Sequence, residues 1–203
     1  MAMVTGIEEA RGQVEIRVDG RAALCIRKAH FERCPVAVGD EIDLDAYTGR
    51  IAATQFPDAY EAALTSLDTS ERTAQEIRRS LRKKGYVEPV IDAVVERLRE
   101  NRLIDDARYA RRLAETQSGK PVGRYAVRRR LRAKGISEED AEDALEAFDD
   151  EQQRGACIEA ARGLLRRYAE LPPREGKARL SQALARRGFP WSAIESALEE
   201  FFD

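Results

Sequence analysis

Histidine occurs once in the 203 residues, at His30. The side chain best suited to moving protons near neutral pH is therefore almost missing. No Gly-x-Ser-x-Gly, phosphate-cradling glycine loop or acid–base–nucleophile constellation occurs, so acid–base, nucleophilic and metal mechanisms lack their usual parts. The expectation is a protein that is not an enzyme, with no catalytic residues and no cofactor. Cysteine is scarce and odd in number, at Cys25, Cys34 and Cys157 without a Cys-x-x-Cys pair. That excludes a disulfide framework and a zinc ribbon, and fits a reducing compartment. His30 between Cys25 and Cys34 offers three ligands, whereas structural zinc normally takes four. No metal is expected, and the three read as small side chains of a β-region. No run of about 18 apolar residues exists, nor a basic N-terminal segment leading into an apolar one. A soluble, cytoplasmic, non-membrane protein is expected.

What is abundant is charge. Asp, Glu, Lys and Arg make up 35% of the chain, against roughly 25% in an ordinary domain. Lys+Arg (35) and Asp+Glu (37) nearly cancel to a formal net charge of −2, so the meaning of the charge lies in its placement. Hydrophobic residues, at 43%, suffice for a normal core. In the first 56 residues they alternate, as in Val14, Ile16, Val18 and Leu24, Ile26, a strand signal. Asp19-Gly20 between these runs suits a two-residue hairpin whose turn needs positive φ, and Gly39-Asp40 precedes Ile42 and Leu44. From Asp58 onward apolar residues recur every three or four positions among Ala, Leu, Arg and Glu, which predicts helices. Pro57 marks the expected boundary.

The helical part repeats. Leu81-Arg82-Lys83-Lys84-Gly85-Tyr86, Leu131-Arg132-Ala133-Lys134-Gly135-Ile136 and Leu184-Ala185-Arg186-Arg187-Gly188-Phe189 align on their glycines without gaps. Eight residues before each glycine stand Ile77, Val127 and Leu180; six after, Ile91, Ala141 and Ile194; ten after, Val95, Leu145 and Leu198; thirteen after, Leu98, Phe148 and Phe201. Each glycine is predicted to end a helix in the left-handed conformation of a Schellman cap, with Tyr86 on Leu81, Ile136 on Leu131 and Phe189 on Leu184. The apolar stripe that follows belongs to a second helix folding back. A further helix precedes each pair, opened by acids that favour the positive end of the helix dipole: Asp58, Asp105-Asp106 and Asp149-Asp150. The expected fold is mainly α, with a small antiparallel β N-terminal extension over 1–57 and three tandem three-helix repeats over 58–104, 105–148 and 149–203. Units this small are marginal alone, so neighbours are expected to stack into an elongated array.

These repeats around Leu-x-x-Lys-Gly, together with Leu103-Ile104-Asp105-Asp106-Ala107-Arg108-Tyr109-Ala110, resemble the bacterial RecX family over roughly residues 59 to 203. The resemblance implies a regulator, usually an inhibitor, of the recombinase RecA, acting on the RecA–DNA filament in recombination, repair and the SOS response. A monomer with single- and double-stranded DNA as further partners is expected.

The placement of cations gives an independent lead. Arg78, Arg79, Arg82, Lys83 and Lys84 form one acid-free run; Arg124, Arg128, Arg129, Arg130, Arg132 and Lys134 form another. At 100° per residue Arg78 and Arg82 flank the core line of repeat 1, and Arg128 and Arg132 take the equivalent places in repeat 2. The candidate partner- and DNA-binding set is Arg78, Arg79, Arg82, Lys83, Arg124, Arg128, Arg129 and Arg132. A phosphate backbone or an acidic filament groove would attract such a set. The alternative is solvated faces paired with the acidic helices of neighbouring repeats; the third helix of the middle repeat gathers Glu138, Glu139, Asp140, Glu142, Asp143 and Glu146. Repeat 3 departs from the pattern, carrying Ser181 and Ala185 on the stripe and Lys177, Arg179, Arg186 and Arg187 elsewhere. Trp191, after Pro190, is expected to pack or cap the last helix. Two other functions fit the same features: a DNA-binding protein of three-helix modules, and a helical adaptor for a protein partner.

Overall fold

The computed structural model describes residues 1–146, 148–168 and 170–202. The chain divides into two compact units, Met1–Asp105 and Asp106–Asp203.

Unit 1 opens with a four-stranded antiparallel sheet of β1 (Ala2–Ala10), β2 (Gln13–Val18), β3 (Arg21–Arg27) and β4 (Glu41–Ile42), ordered β3-β2-β1-β4. Val14, Ile16 and Val18 alternate onto one buried face of β2, across from Ile26 and Val4. Asp19 and Gly20 both take positive φ, 49° and 78°, the turn that the dipeptide predicts. Arg11-Gly12 makes an equivalent turn between β1 and β2, with φ of 53° and 76°. A short helix α1 (Lys28–Phe31) leads toward β4, and α2 (Leu44–Thr69), α3 (Ala74–Lys83) and α4 (Glu88–Glu100) complete the unit.

Three expectations change here. Leu44 does not belong to a strand, and Pro57 ends nothing: α2 starts at Leu44, is capped by the Asp43 side chain accepting from the Asp45 and Ala46 amides, and runs through Pro57. Asp58 is accordingly an interior residue of α2. A mid-helix proline removes one backbone bond, but Tyr47, Ile51, Gln55, Ala59 and Ala63 form one buried stripe on both sides of it. Burial along that stripe outweighs the local defect.

Unit 2 contains α5 (Asp106–Ser118), α6 (Arg124–Ala133) and α7 (Glu138–Leu145), then α8 (Asp150–Tyr168), α9 (Pro173–Arg186) and α10 (Trp191–Phe202). In every repeat the first and third helices pack most closely, with the second laid against them. Gly85, Gly135 and Gly188 have φ of 79°, 79° and 84°. Each turn has both Schellman bonds: Tyr86 to Leu81, Ile136 to Leu131 and Phe189 to Leu184, with Gly85 to Arg82, Gly135 to Arg132 and Gly188 to Ala185. All the aligned apolar positions are buried except Phe201, which is half-buried.

Candidate functional site

Two of the three glycine turns are covered, and the covers build clefts. In unit 1 Gly85 is buried. The Gln13 side chain donates to Lys83 O at 3.1 Å, and Gln55, wholly buried, donates to Gly85 O at 3.2 Å and accepts from the Val87 amide at 2.9 Å. A cleft beside this turn is lined by Arg11, Arg27, Lys84 and Tyr86, with the Arg27 guanidinium donating to the Tyr86 hydroxyl at 3.3 Å.

In unit 2 the Gly188 turn is covered by the start of α6. Gly123, its N-cap, provides no side chain. The amides that begin this helix are satisfied by repeat 3: Gly123 donates to Arg187 O and Tyr125 to Gly188 O, each at 3.0 Å, while Arg124 donates to Oε1 of the buried Gln153 at 2.8 Å. The positive end of α6 thus meets the negative end of α9. The fit is close enough that a Cβ at Gly123 would overlap the Gly188 backbone. Gly135 is exposed.

The eight candidate cations fall into two groups. Arg78 pairs with Asp92, and Arg82 forms a fork on Glu88 with contacts of 2.5 and 2.8 Å. In repeat 2, Arg128 bonds Glu142 and lies 3.6 Å from Glu138, and Arg124 lies 3.8 Å from Glu142. These partners are acids of the third helix of the same repeat, not of a neighbouring one, because the hairpin of second and third helices brings them opposite. Hydrogen bonding to Arg82 holds the Glu88 carboxyl below its usual range. The flanking stripe read from the sequence is therefore in large part an intra-repeat seam, with Arg132 alone of its four arginines outside the pairing among the described residues. Arg79, Lys83, Arg129 and Arg132 are exposed, and among the described residues none of them lies in an ion pair.

The structure also joins residues that the sequence keeps apart. Arg129 and Arg130 of α6 and Arg186 and Arg187 at the end of α9 line one cleft of about 550 Å³, floored by Val122, Ala126 and Ala133. Arg129 donates to Arg186 O at 3.4 Å, and Arg130 to the Gln117 side chain at 2.6 Å. Among the described residues no carboxylate lines this cleft. The signal available in the sequence was the missing side-chain cap at Gly123. Two aromatic residues stand exposed in this unit, Tyr125 at 47% and Trp191 at 64%. Trp191 does not pack as expected, because the core side of α10 is taken by Ala193, Ile194 and Ala197.

His30 is buried against α2, its Nε2 3.6 Å from Asp58 Oδ2. Cys25 is exposed and Cys34 half-buried, and among the described residues no group of three or more His, Cys, Asp or Glu could hold a metal ion. No described helix is long and apolar enough to cross a membrane.

Three consecutive glycine-capped three-helix domains behind a small sheet, with basic second helices, define a modular protein of tandem helical repeats. Family models described as RecX first, second and third three-helix domains match residues 59–98, 105–145 and 150–198. Regulatory protein RecX of Limosilactobacillus reuteri (strain DSM 20016) is 30% identical over 98% of this chain and 77% of its own length. That of Clostridium acetobutylicum is 31% identical over 81% and 78%. A crystal structure of regulatory protein RecX aligns with a TM-score of 0.68 at 29% identity, covering 98% of this chain and all of the other, and RecX from Lactobacillus salivarius aligns at 0.66 and 29%, covering 73% and 97%. The chain belongs to the RecX family of regulatory proteins.

Proposed function

We propose that this protein is a non-enzymatic inhibitor of the RecA recombinase, binding the RecA–DNA filament in the cytoplasm as a monomer and limiting its assembly, ATP hydrolysis and strand exchange during recombination, repair and the SOS response. Membership of the RecX family carries the reading. The distribution of cations supports it: Arg79, Lys83, Arg129 and Arg132 are exposed on α3 and α6, placed to meet phosphate or carboxylate oxygens. Arg78, Arg82, Arg124 and Arg128 have a different task, tying each second helix to the third.

The test is RecA's DNA-dependent ATP hydrolysis at fixed RecA and DNA. The wild-type chain is expected to lower the rate with increasing dose. The variant R79E/K83E/R129E/R132E is expected to lose that effect with circular dichroism and Tm nearly unchanged, because none of the four is buried. A wild-type chain without effect on the rate, or a variant that inhibits fully, contradicts the proposal.

A further inference from the structure

We propose that the arginine cleft between α6 and α9 is a seat for the phosphodiester backbone of a single-stranded nucleic acid, with Tyr125 as the stacking surface beside it. The inference rests on the regulatory reading only for its biological setting; its chemistry stands on the cleft.

Four arginines from two repeats line the cleft, with no acid in the lining among the described residues. Elsewhere on the same helix Arg124 and Arg128 are matched by Glu142 and Glu138, so the lack of carboxylate at the cleft contrasts with its surroundings. Like charges brought together cost free energy unless an anion joins them. Here the cost is imposed by the backbone joint. Gly123 and Tyr125 bond to Arg187 O and Gly188 O, which holds the last turn of α9 against the first turn of α6 and keeps Arg186 and Arg187 beside Arg129 and Arg130. The guanidinium fork matches phosphate oxygens in a bidentate manner that an ammonium group does not reproduce.

Two observations favour a nucleic acid over an acidic peptide. Tyr125, exposed, lies one helical turn before Arg129 on α6, where it offers a π-face to a base; stacking beside a charged groove is how single strands are held without reading their sequence. The cleft walls are helices whose main-chain groups are already bonded, so no strand edge is available to an extended peptide. The apolar floor of Val122, Ala126 and Ala133 can accept the sugar face.

The experiment uses the full chain and a fluorescein-labelled oligothymidylate, with binding followed by anisotropy at several salt concentrations. Each phosphate neutralised on a single strand steepens the log–log salt dependence by about 0.7. The variant R129Q/R130Q/R186Q/R187Q is expected to bind at least tenfold more weakly, with a slope shallower by about 2 to 3. R78Q/R82Q/R124Q/R128Q removes the same formal charge from paired arginines and is expected to keep the wild-type slope. Tyr125→Ser is expected to lower affinity several-fold with the slope unchanged, a result that a purely electrostatic patch would not give. Circular dichroism and Tm verify that each variant is folded. Equal slopes for the two quadruple variants, an unchanged cleft variant, or polyglutamate displacing the oligonucleotide as well as an unlabelled strand would each overturn the proposal. The regulatory reading fails separately: wild-type chain that binds the oligonucleotide through this cleft but leaves RecA's ATP hydrolysis untouched refutes that reading and leaves the cleft standing.

Discussion

His30 shows how one side chain links packing to pH. It is 1% exposed, with Nδ1 lacking a hydrogen-bond partner among the described residues. Burial holds its pKa below the ordinary histidine value, opposed by the negative charge of Asp58 and aided by Arg33 and Arg27. The unfolded chain takes up a proton near pH 6.5 that the folded chain resists, so the unfolded state binds more protons and stability rises with pH. The contribution is complete above that pH and is lost as pH falls below it. Between about pH 7 and pH 5, Tm of the wild-type protein should therefore fall more than Tm of His30→Leu, which cannot charge. Parallel curves would contradict this. At this scale the sequence was informative about which face Arg78, Arg82 and Arg128 occupy and offered acidic helices as their alternative partners, but not which acids or that they lie in the same repeat. Glu88, Asp92 and Glu142 come opposite only once the helical hairpin has closed.

Elements were legible where a local signal and a periodic one agreed. Each repeat glycine coincides with the end of an apolar stripe, and helix caps follow directly from that coincidence. β1 carries no such agreement: Val4 is its one buried residue, so alternation is missing, and its Arg11-Gly12 turn lacks the usual Asn or Asp. The first half of α2 was hidden by Gly49 and Pro57, which weigh against a helix locally, although the every-fourth-residue stripe from Tyr47 to Ala63 was present to be counted. The joint of α6 with α9 left only one trace in the sequence, the uncapped Gly123, because it is made of backbone carbonyls and of a side chain that is absent. It makes a firm prediction. Gly123→Ala must force backbone from backbone and should destabilise unit 2 by about 3 kcal/mol, the upper range for overpacking. Gly119→Ala, with nothing within 4 Å of the added methyl group, should change stability by about 0.5 kcal/mol or less. Urea denaturation monitored by helical ellipticity checks both; equal effects would show that the joint is loose.

On the scale of the whole molecule, a net charge of −2 hides a division of labour. In repeats 1 and 2 acids of the third helix neutralise one side of the basic second helix, while Arg79, Lys83, Arg129 and Arg132, with the cleft arginines, are the cations proposed to meet an anionic partner. A protein built this way should distinguish a filament, where nucleic acid and RecA are presented together, from either component alone. The most direct measurement is binding of the full chain, at one salt concentration, to RecA-coated single-stranded DNA, to the same DNA bare, and to RecA without DNA. The account predicts clearly tighter binding to the coated strand than to either alternative. Equal affinity for bare and coated DNA would make the protein a plain nucleic-acid binder, and tightest binding to DNA-free RecA would make it an adaptor; either result would contradict the account.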